Sequence, residues 1–557
     1  MSPMARAREA IRADPARACL VCLLLLDVAL VFSLPIIVGQ DLPQHLSYAR
    51  ILADFARPGL SFRSNFTLPA RPQPYFTAYL ILAPLTRWFS ILTACRLVYA
   101  AYVIATSLSF TALVSGVHAA DLLPGARRLR TPWTALLGPL LPWNPVQLVG
   151  FFPFMLALPG VLAGAAAVVW ISRGSSPRSL WTWGALVVAA AITVSLHLVA
   201  GGALVGFALL YALFHWSRRA LVAGLVTSAA TALTLGAWHT LGERGLEEIP
   251  TEALLANIRS LGAVDGVVRT LGVQWTSAAV KGSFVVATVL GPLARGGKIT
   301  VAVAIGALAT VALGARKQQV ARPATAPSPW PFVLAVGACA GLVVVTPAAV
   351  RVPDDICLLD FRLYVVAFLL AVACVDPRWF EPFWARIAMS VFATVVLGAW
   401  AVGLRGGAGE AMQVVRLLDR LPSSATVLAL PFHDRSEYLD EDNSITHYFP
   451  VYFTALRGGV TSLFWGKYSH HLPVGYLPGR EPLRPPDWDP SRFTRAELEH
   501  ASNVLVEWPD RDDRDSRQVG ARRLESELSD GFSRLACDGR WCLYGHRDVT
   551  GSEEARR

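Results

Sequence analysis

Gln40-Asp41-Leu42-Pro43-Gln44-His45 sets a carboxylate and an imidazole four residues apart, a spacing that puts both on one face of a helix. Asp41 has two compatible readings. It can cap that helix, with Pro43 in the first turn, or it can aim its carboxylate at a reactant. His45 suits an interfacial polar contact as well as a reactive one. About thirty residues on, Arg71-Pro72-Gln73-Pro74-Tyr75 places a cation before two prolines and an aromatic, apolar segment. A guanidinium there can hold a lipid phosphate. The plainer alternative is a solvated loop arginine near anionic headgroups.

Other polar groups are weaker candidates. Asp360 and Arg362 stand at the mouth of an apolar run, where ionisable groups often line a cavity; Arg362 is a second phosphate-binding candidate, with local pairing to Asp360 as its alternative. Glu243, Glu247 and Glu248 read as a solvated charge run. His197, beside Gly201-Gly202, reads as a turn histidine. His433, His447, His470 and His471 match no zinc spacing.

Composition identifies what must position these groups. The 557 residues are 54% hydrophobic and 16% charged, with mean hydropathy +0.45, against roughly 25% charged in soluble domains. Residues 1–404 hold 46 of the 90 charged side chains and net +14, whereas 405–557 hold 44 and net −4. A polytopic membrane domain over 1–404 and a water-soluble domain over 405–557 follow. The basic excess sits in short loops between apolar runs, so it points to cytoplasmic anchoring and not to nucleic acid.

A spanning helix needs about 20 apolar residues. The first run, 18–38, follows Arg6, Arg8, Arg12 and Arg17, which puts the N-terminus in the cytoplasm. Further spans are expected near 95–118, 132–146, 150–171, 180–197, 198–216, 220–240, 299–315, 330–347, 361–375 and 386–404. About eleven spans place the C-terminal domain outside the cytoplasm. The segments 75–90 and 282–294 are too short to cross and are expected to be half-buried or re-entrant, leaving outer loops of about 39–94 and 241–298. Leu42, Leu46, Ala49, Ile51, Leu52 and Phe55 give the segment after Asp41 an apolar face suited to the membrane interface.

The tail reads as a small α/β domain. Ala411–Leu421 has helical spacing, Thr426–Leu430 and Val504–Trp508 are apolar runs of strand length, and a hairpin over 532–545 turns at Asp538-Gly539. Cys537 and Cys542 flank that turn, and an extracytoplasmic location permits a disulfide between them. The alternative is two reduced thiols.

The layout of Asp41 just past the first span, an interfacial helix, and Arg71-Pro72-Gln73-Pro74-Tyr75 entering a second one resembles the GT-C superfamily of integral-membrane glycosyltransferases. That group includes protein O-mannosyltransferases and aminoarabinose transferases. The similarity is clearest over residues 18–118, with a weaker echo in Gly150-Phe151-Phe152-Pro153-Phe154. Ala70 stands where some relatives have an acid, and no second acid adjoins Asp41. The resemblance implies a mainly helical membrane fold in the plasma (inner) membrane, with an extracytoplasmic α/β domain. It also implies transfer of a sugar from a polyprenyl-phosphate donor to a glycan, lipid or protein acceptor in the cell envelope. Asp41 would be general base, helped by His45 or leaving His45 to bind the acceptor. Arg71, with Tyr75 and Arg362, would contact the donor phosphate, and inversion is expected of a single displacement. A divalent metal is open, since hard cations want several oxygen ligands. A transporter or flippase of lipid-linked saccharide, or a non-catalytic GT-C relative, are the competing readings.

Overall fold

The computed structural model describes residues 13–68, 75–118, 131–174, 179–241, 330–346, 359–433, 435–439, 444–465, 473–483, 489–509 and 516–547. The helices of ten residues or more are, in chain order, α1 (Pro15–Ser33), α2 (Leu42–Asp54), α3 (Phe76–Leu85), α4 (Ile91–Val117), α5 (Phe152–Arg173) and α6 (Ser179–Leu196). They continue with α7 (Leu198–His215), α8 (Arg218–Leu241), α9 (Trp330–Val345), α10 (Leu359–Val372), α11 (Phe383–Leu418) and α12 (Ser516–Gly531). Six of the described helices, within α1, α4, α5, α7, α8 and α11, are long and apolar enough to cross a membrane; α6, α9 and α10 have shorter apolar cores. The described chain is mainly helical, with helices of the length and apolar composition that an integral membrane protein needs. The segments expected at 299–315 and 282–294 lie outside the described residues.

Two compact units emerge. The first comprises residues 1–30, 99–146 and 153–401. Here α1 starts where sequence chemistry places a start: Pro15 opens it, and the Asp14 carboxylate accepts from the Arg17 amide at 3.0 Å. Lipid-facing side chains such as Leu25 and Leu26 remain exposed along α1. Glycines let neighbouring helices approach: a Cβ on Gly164 of α5 would stand 2.7 Å from Leu204 of α7, and one on Gly160 would strike Thr193 of α6. Over 132–146 the sequence predicts a span, and the chain instead forms an eight-residue 3-10 helix, Trp133–Leu140, followed by a turn. Pro132, Pro139, Pro142 and Pro145 explain this, because each removes an amide that an α-helix would need.

The second unit comprises residues 31–98, 147–152 and 402–557. Its five-stranded sheet has the order β3 (Val460–Thr461), β2 (Thr426–Pro431), β5 (Asn503–Glu507), β7 (Trp541–His546), β6 (Phe532–Asp538). The β3–β2–β5 pairs are parallel, and β5–β7–β6 is antiparallel. Leu428 and Leu430 of β2 and Val504 and Val506 of β5 pack with Leu524 and Leu528 of α12 in one apolar core. The predicted hairpin turns at Gly539, whose φ of +59° suits glycine, and Cys537 and Cys542 are joined in a disulfide across it. A second, two-stranded pairing sets Phe66 and Thr67 (β1) antiparallel to Gly475 and Tyr476 (β4). The predicted helix at 411–421 is the end of α11, which runs unbroken for 36 residues.

Candidate functional site

The site is built on α2. Its N-cap is Asp41, whose backbone is held from behind: Gln40 and Asp41 donate their amides to the carbonyls of Leu148 and Val149 at 2.7 and 2.9 Å, and the Gln147 side chain donates to the Val38 carbonyl at 2.7 Å. The strand-like zip of 38–41 against 147–150 requires Gly150. That residue has φ +82°, and a Cβ on it would lie 2.8 Å from the amide nitrogens of both Asp41 and Leu42. Pro43 sits in the first turn, as its fixed φ favours. The Asp41 side chain makes no capping bond to α2, so the cap reading does not account for its carboxylate. The side chain is nonetheless buried, with the residue 5% exposed.

One turn further along α2, His45 is also buried. Its Nδ1 lies 2.6 Å from the hydroxyl of Tyr79 on α3. The imidazole stacks on Tyr79 at 5.9 Å and sits 6.3 Å from Tyr48 and 5.9 Å from Phe152. Tyr48 in turn meets Tyr79 edge-on and packs against Phe464. Burial pushes both phenols up from their ordinary range. The Asp41 carboxylate adds to the shift for Tyr79, and Tyr79 followed by other neighbours does so for Tyr48. Both phenols therefore stay protonated at physiological pH. The imidazole is thus walled by aromatic rings, and the Asp41 carboxylate is buried at the head of the same helix.

The far wall comes from the tail. Gln44, fully buried, donates from Nε2 to the Leu463 carbonyl at 2.7 Å and accepts from the Trp465 amide at 3.1 Å. Ser47 donates to Val451, and the Tyr452 hydroxyl donates to the Ile37 carbonyl at 3.0 Å. These long-range bonds lock the segment 445–465 against α2.

The remaining predicted residues fall as follows. Arg71 lies outside the described residues. Tyr75 is the N-cap of α3 and takes a left-handed conformation, φ +67°, uncommon for a residue with a Cβ. Arg362 lies in the first unit, near the start of α10. His197 is buried at the break between α6 and α7, edge-on to Phe154 at 5.0 Å. His447 is buried against Tyr448 in the second unit. Among the described residues no group of three His, Cys, Asp or Glu side chains is arranged to hold a metal. Sequence reasoning missed Gln44, Tyr48, Tyr79 and Gln147, since each acts through a partner remote in the chain. Separately, the first unit holds an apolar cavity of about 350 Å³ between α7, α9 and α10, lined by Gly202, Gly206, Phe207, Leu342, Val343 and Val366.

No family model and no curated protein matches the chain. Among solved structures, it is similar to ArnT from Cupriavidus metallidurans bound to undecaprenyl phosphate. Identity is 12%, the match covers 94% of this chain and 97% of that one, and the TM-score is 0.50. It also aligns with the arabinofuranosyltransferase AftD from Mycobacteria at 13% identity, over 95% of this chain and 40% of that one, with TM-score 0.43. The first likeness shows the GT-C-like fold.

Proposed function

We propose that this protein is a membrane glycosyltransferase that moves a sugar from a polyprenyl-phosphate donor to an acceptor outside the cytoplasm, with inversion at the anomeric carbon. One observation carries the reading: the Asp41 carboxylate is withdrawn from water at the head of α2, fixed by backbone bonds, and not used as a cap. Those suit a general base, which must be placed within hydrogen-bonding reach of an acceptor hydroxyl. As the hydroxyl attacks, its proton passes to Asp41, the bond from the anomeric carbon to the donor phosphate breaks, and the electron pair leaves on the phosphate. Arg71, thirty residues along the same outer segment, is assigned to that developing charge, with Tyr75 four residues further on.

The similarity to a protein solved with undecaprenyl phosphate supports the lipid class of the donor. The apolar cavity of the first unit is of a kind that hydrocarbon fills. A divalent metal would need oxygen ligands beyond Asp41. The test is release of labelled sugar from a panel of polyprenyl-phosphate sugars by purified protein in lipid, wild type against Asp41→Asn, with membrane extract supplying acceptor. Turnover that disappears in a folded Asp41→Asn supports the assignment, whereas full transfer by that variant refutes it.

One observation favours transport of a lipid-linked saccharide instead. Asp27, in α1, is fully buried; its Oδ1 accepts from Trp143 Nε1 at 2.5 Å, and among the described residues its Oδ2 has no hydrogen-bond partner. Ionisable groups inside spans often mark pathways. Loss of lipid translocation in Asp27→Asn, with no transfer by any variant, would replace the enzyme reading by this one.

A further inference from the structure

The hydrogen bond between His45 and Tyr79 decides what His45 can do, given the Asp41 reading on which this inference rests. Tyr79 is 2% exposed, and among the described residues the partner of its hydroxyl is His45 Nδ1 at 2.6 Å. Two proton arrangements fit that distance. If Nδ1–H donated to the phenol oxygen, the phenol proton would be buried with no acceptor among the described residues, which costs about 1–3 kcal/mol. If the phenol donates to Nδ1, its proton is satisfied and the second nitrogen, Nε2, carries the imidazole proton.

We infer that Tyr79 is a positioning residue that holds His45 as the neutral, Nε2-protonated tautomer, so that His45 serves the transfer site as a hydrogen-bond donor and not as a base or a cation. A base at Nε2 would need the lone pair that this tautomer lacks. An imidazolium would need Nδ1 to donate, which would turn the phenol proton away from its acceptor. The chemistry that an Nε2–H serves is an oxygen acceptor: the Asp41 carboxylate one turn back, or a hydroxyl or phosphoryl oxygen of the reactants. His45 thereby orients a partner and leaves proton removal to Asp41. Among the described residues, the rings of Tyr48 on α2, Tyr79 on α3 and Phe152 pack on His45, and Asp41 stands one turn back at the head of α2. Behind Tyr48 stand Tyr448 and Tyr476.

Two substitutions separate the roles. Tyr79→Phe keeps the ring and removes the phenol proton, so Nδ1 loses its donor and can take a proton instead. The acidic limb of the pH dependence of kcat/KM should then move upward, since an imidazolium beside Asp41 competes for the base. His45→Gln supplies an N–H near the position of Nε2 and cannot titrate. It should retain transfer within about tenfold, and Tyr79→Phe added to it should shift the pH profile no further. A loss of turnover in folded His45→Gln as deep as in Asp41→Asn, or an unshifted profile in Tyr79→Phe, overturns the inference. Selective 15N-histidine spectra of the full-length protein in lipid, with His45→Gln for assignment, give a readout independent of activity. A bare Nδ1 and a protonated Nε2 across about pH 6–8 are expected, with Tyr79→Phe losing that preference; a protonated Nδ1 in the wild type overturns the inference. These spectra decide the tautomer even where no donor supports turnover, so failure of the glycosyltransferase reading and failure of this one are distinguishable.

Discussion

Gly150 lies directly beneath the backbone of Asp41: its Cα carries no substituent because the space where a Cβ would stand is 2.8 Å from the Asp41 amide nitrogen, the atom that donates to Val149. The residue that begins α5's approach and the residue that begins α2 are thus one packing unit. Gly39 completes it, since a Cβ there would sit 2.9 Å from the Gln147 carbonyl oxygen.

Gly150→Ala should therefore act on Asp41 without touching its side chain. The left-handed φ and the overlap together cost on the order of 1–3 kcal/mol of stability. If Asp41 is the base as proposed, the larger effect is expected in transfer, since displacing such a group by about 1 Å lowers turnover on the order of 100-fold. Measuring kcat alongside thermal unfolding checks this. A variant that is destabilised yet turns over normally would show that Asp41 does not depend on this contact.

Gln44 is the tail's buried tie to α2, donating to Leu463 and accepting from Trp465. Gln44→Ala strands both backbone groups in the interior and should cost about 2–4 kcal/mol. Gln44→Glu should be no rescue, because a carboxylate can accept from Trp465 but only repels the Leu463 carbonyl. Denaturant unfolding of the detergent-solubilised protein, read on tail tryptophan fluorescence, compares the three. Equal midpoints for wild type and Gln44→Glu would remove the donor role.

The disulfide closes a short loop, Cys537 to Cys542, five residues apart, within a hairpin already paired along its length. The chain-entropy account gives about 2 kcal/mol for so small a loop. The double variant Cys537→Ser/Cys542→Ser should lose about that much, and its transfer activity should be unchanged at a temperature where it stays folded. A fall in activity at that temperature would tie the hairpin to the site.

What the sequence made legible is what local chemistry controls. Asp41 and His45 share a helix and a turn, so their spacing alone put them together. The tail strands follow from apolar runs, and the hairpin follows from Asp538-Gly539. Gln44 was invisible as a tie because its partners are 419 and 421 residues away, and Tyr79 because pairing it with His45 needs two helices to meet. The boundary drawn at 404 fell inside a continuous helix: α11 runs straight through it, and a Cβ on Gly406 or Gly407 would strike Tyr438 or Leu439. Those glycines serve close packing of the 436–439 turn, which a one-dimensional pattern cannot separate from a helix stop. The proline-rich 132–146 run misled for a related reason: hydropathy counts apolar residues and is blind to missing amides.

The turn packed on α11 carries the last expectation. Glu410 accepts from the Ser436 hydroxyl at 2.5 Å and from the Glu437 amide at 2.8 Å, and Arg540 pairs with Glu437 beside it. Burial above all, with the neighbouring Glu437 carboxylate adding to it, holds the Glu410 carboxyl above its ordinary value of 4.5, while the two hydrogen bonds and Arg540 oppose the shift. A carboxyl raised in the folded state binds its proton more tightly there than in the unfolded chain. Its contribution is therefore complete below about 4.5 and is lost as pH climbs through the raised folded value. Glu410→Gln cannot ionise, and its amide can still serve the turn. Its melting temperature relative to wild type should rise steadily with pH above about 4.5 and then level off, whereas Glu410→Ala should be less stable throughout because it removes the acceptor of both the Ser436 hydroxyl and the Glu437 amide. Thermal unfolding of the three proteins between about pH 4 and 8 makes the comparison, and a constant gap between Glu410→Gln and wild type would show that Glu410 titrates as an ordinary surface acid.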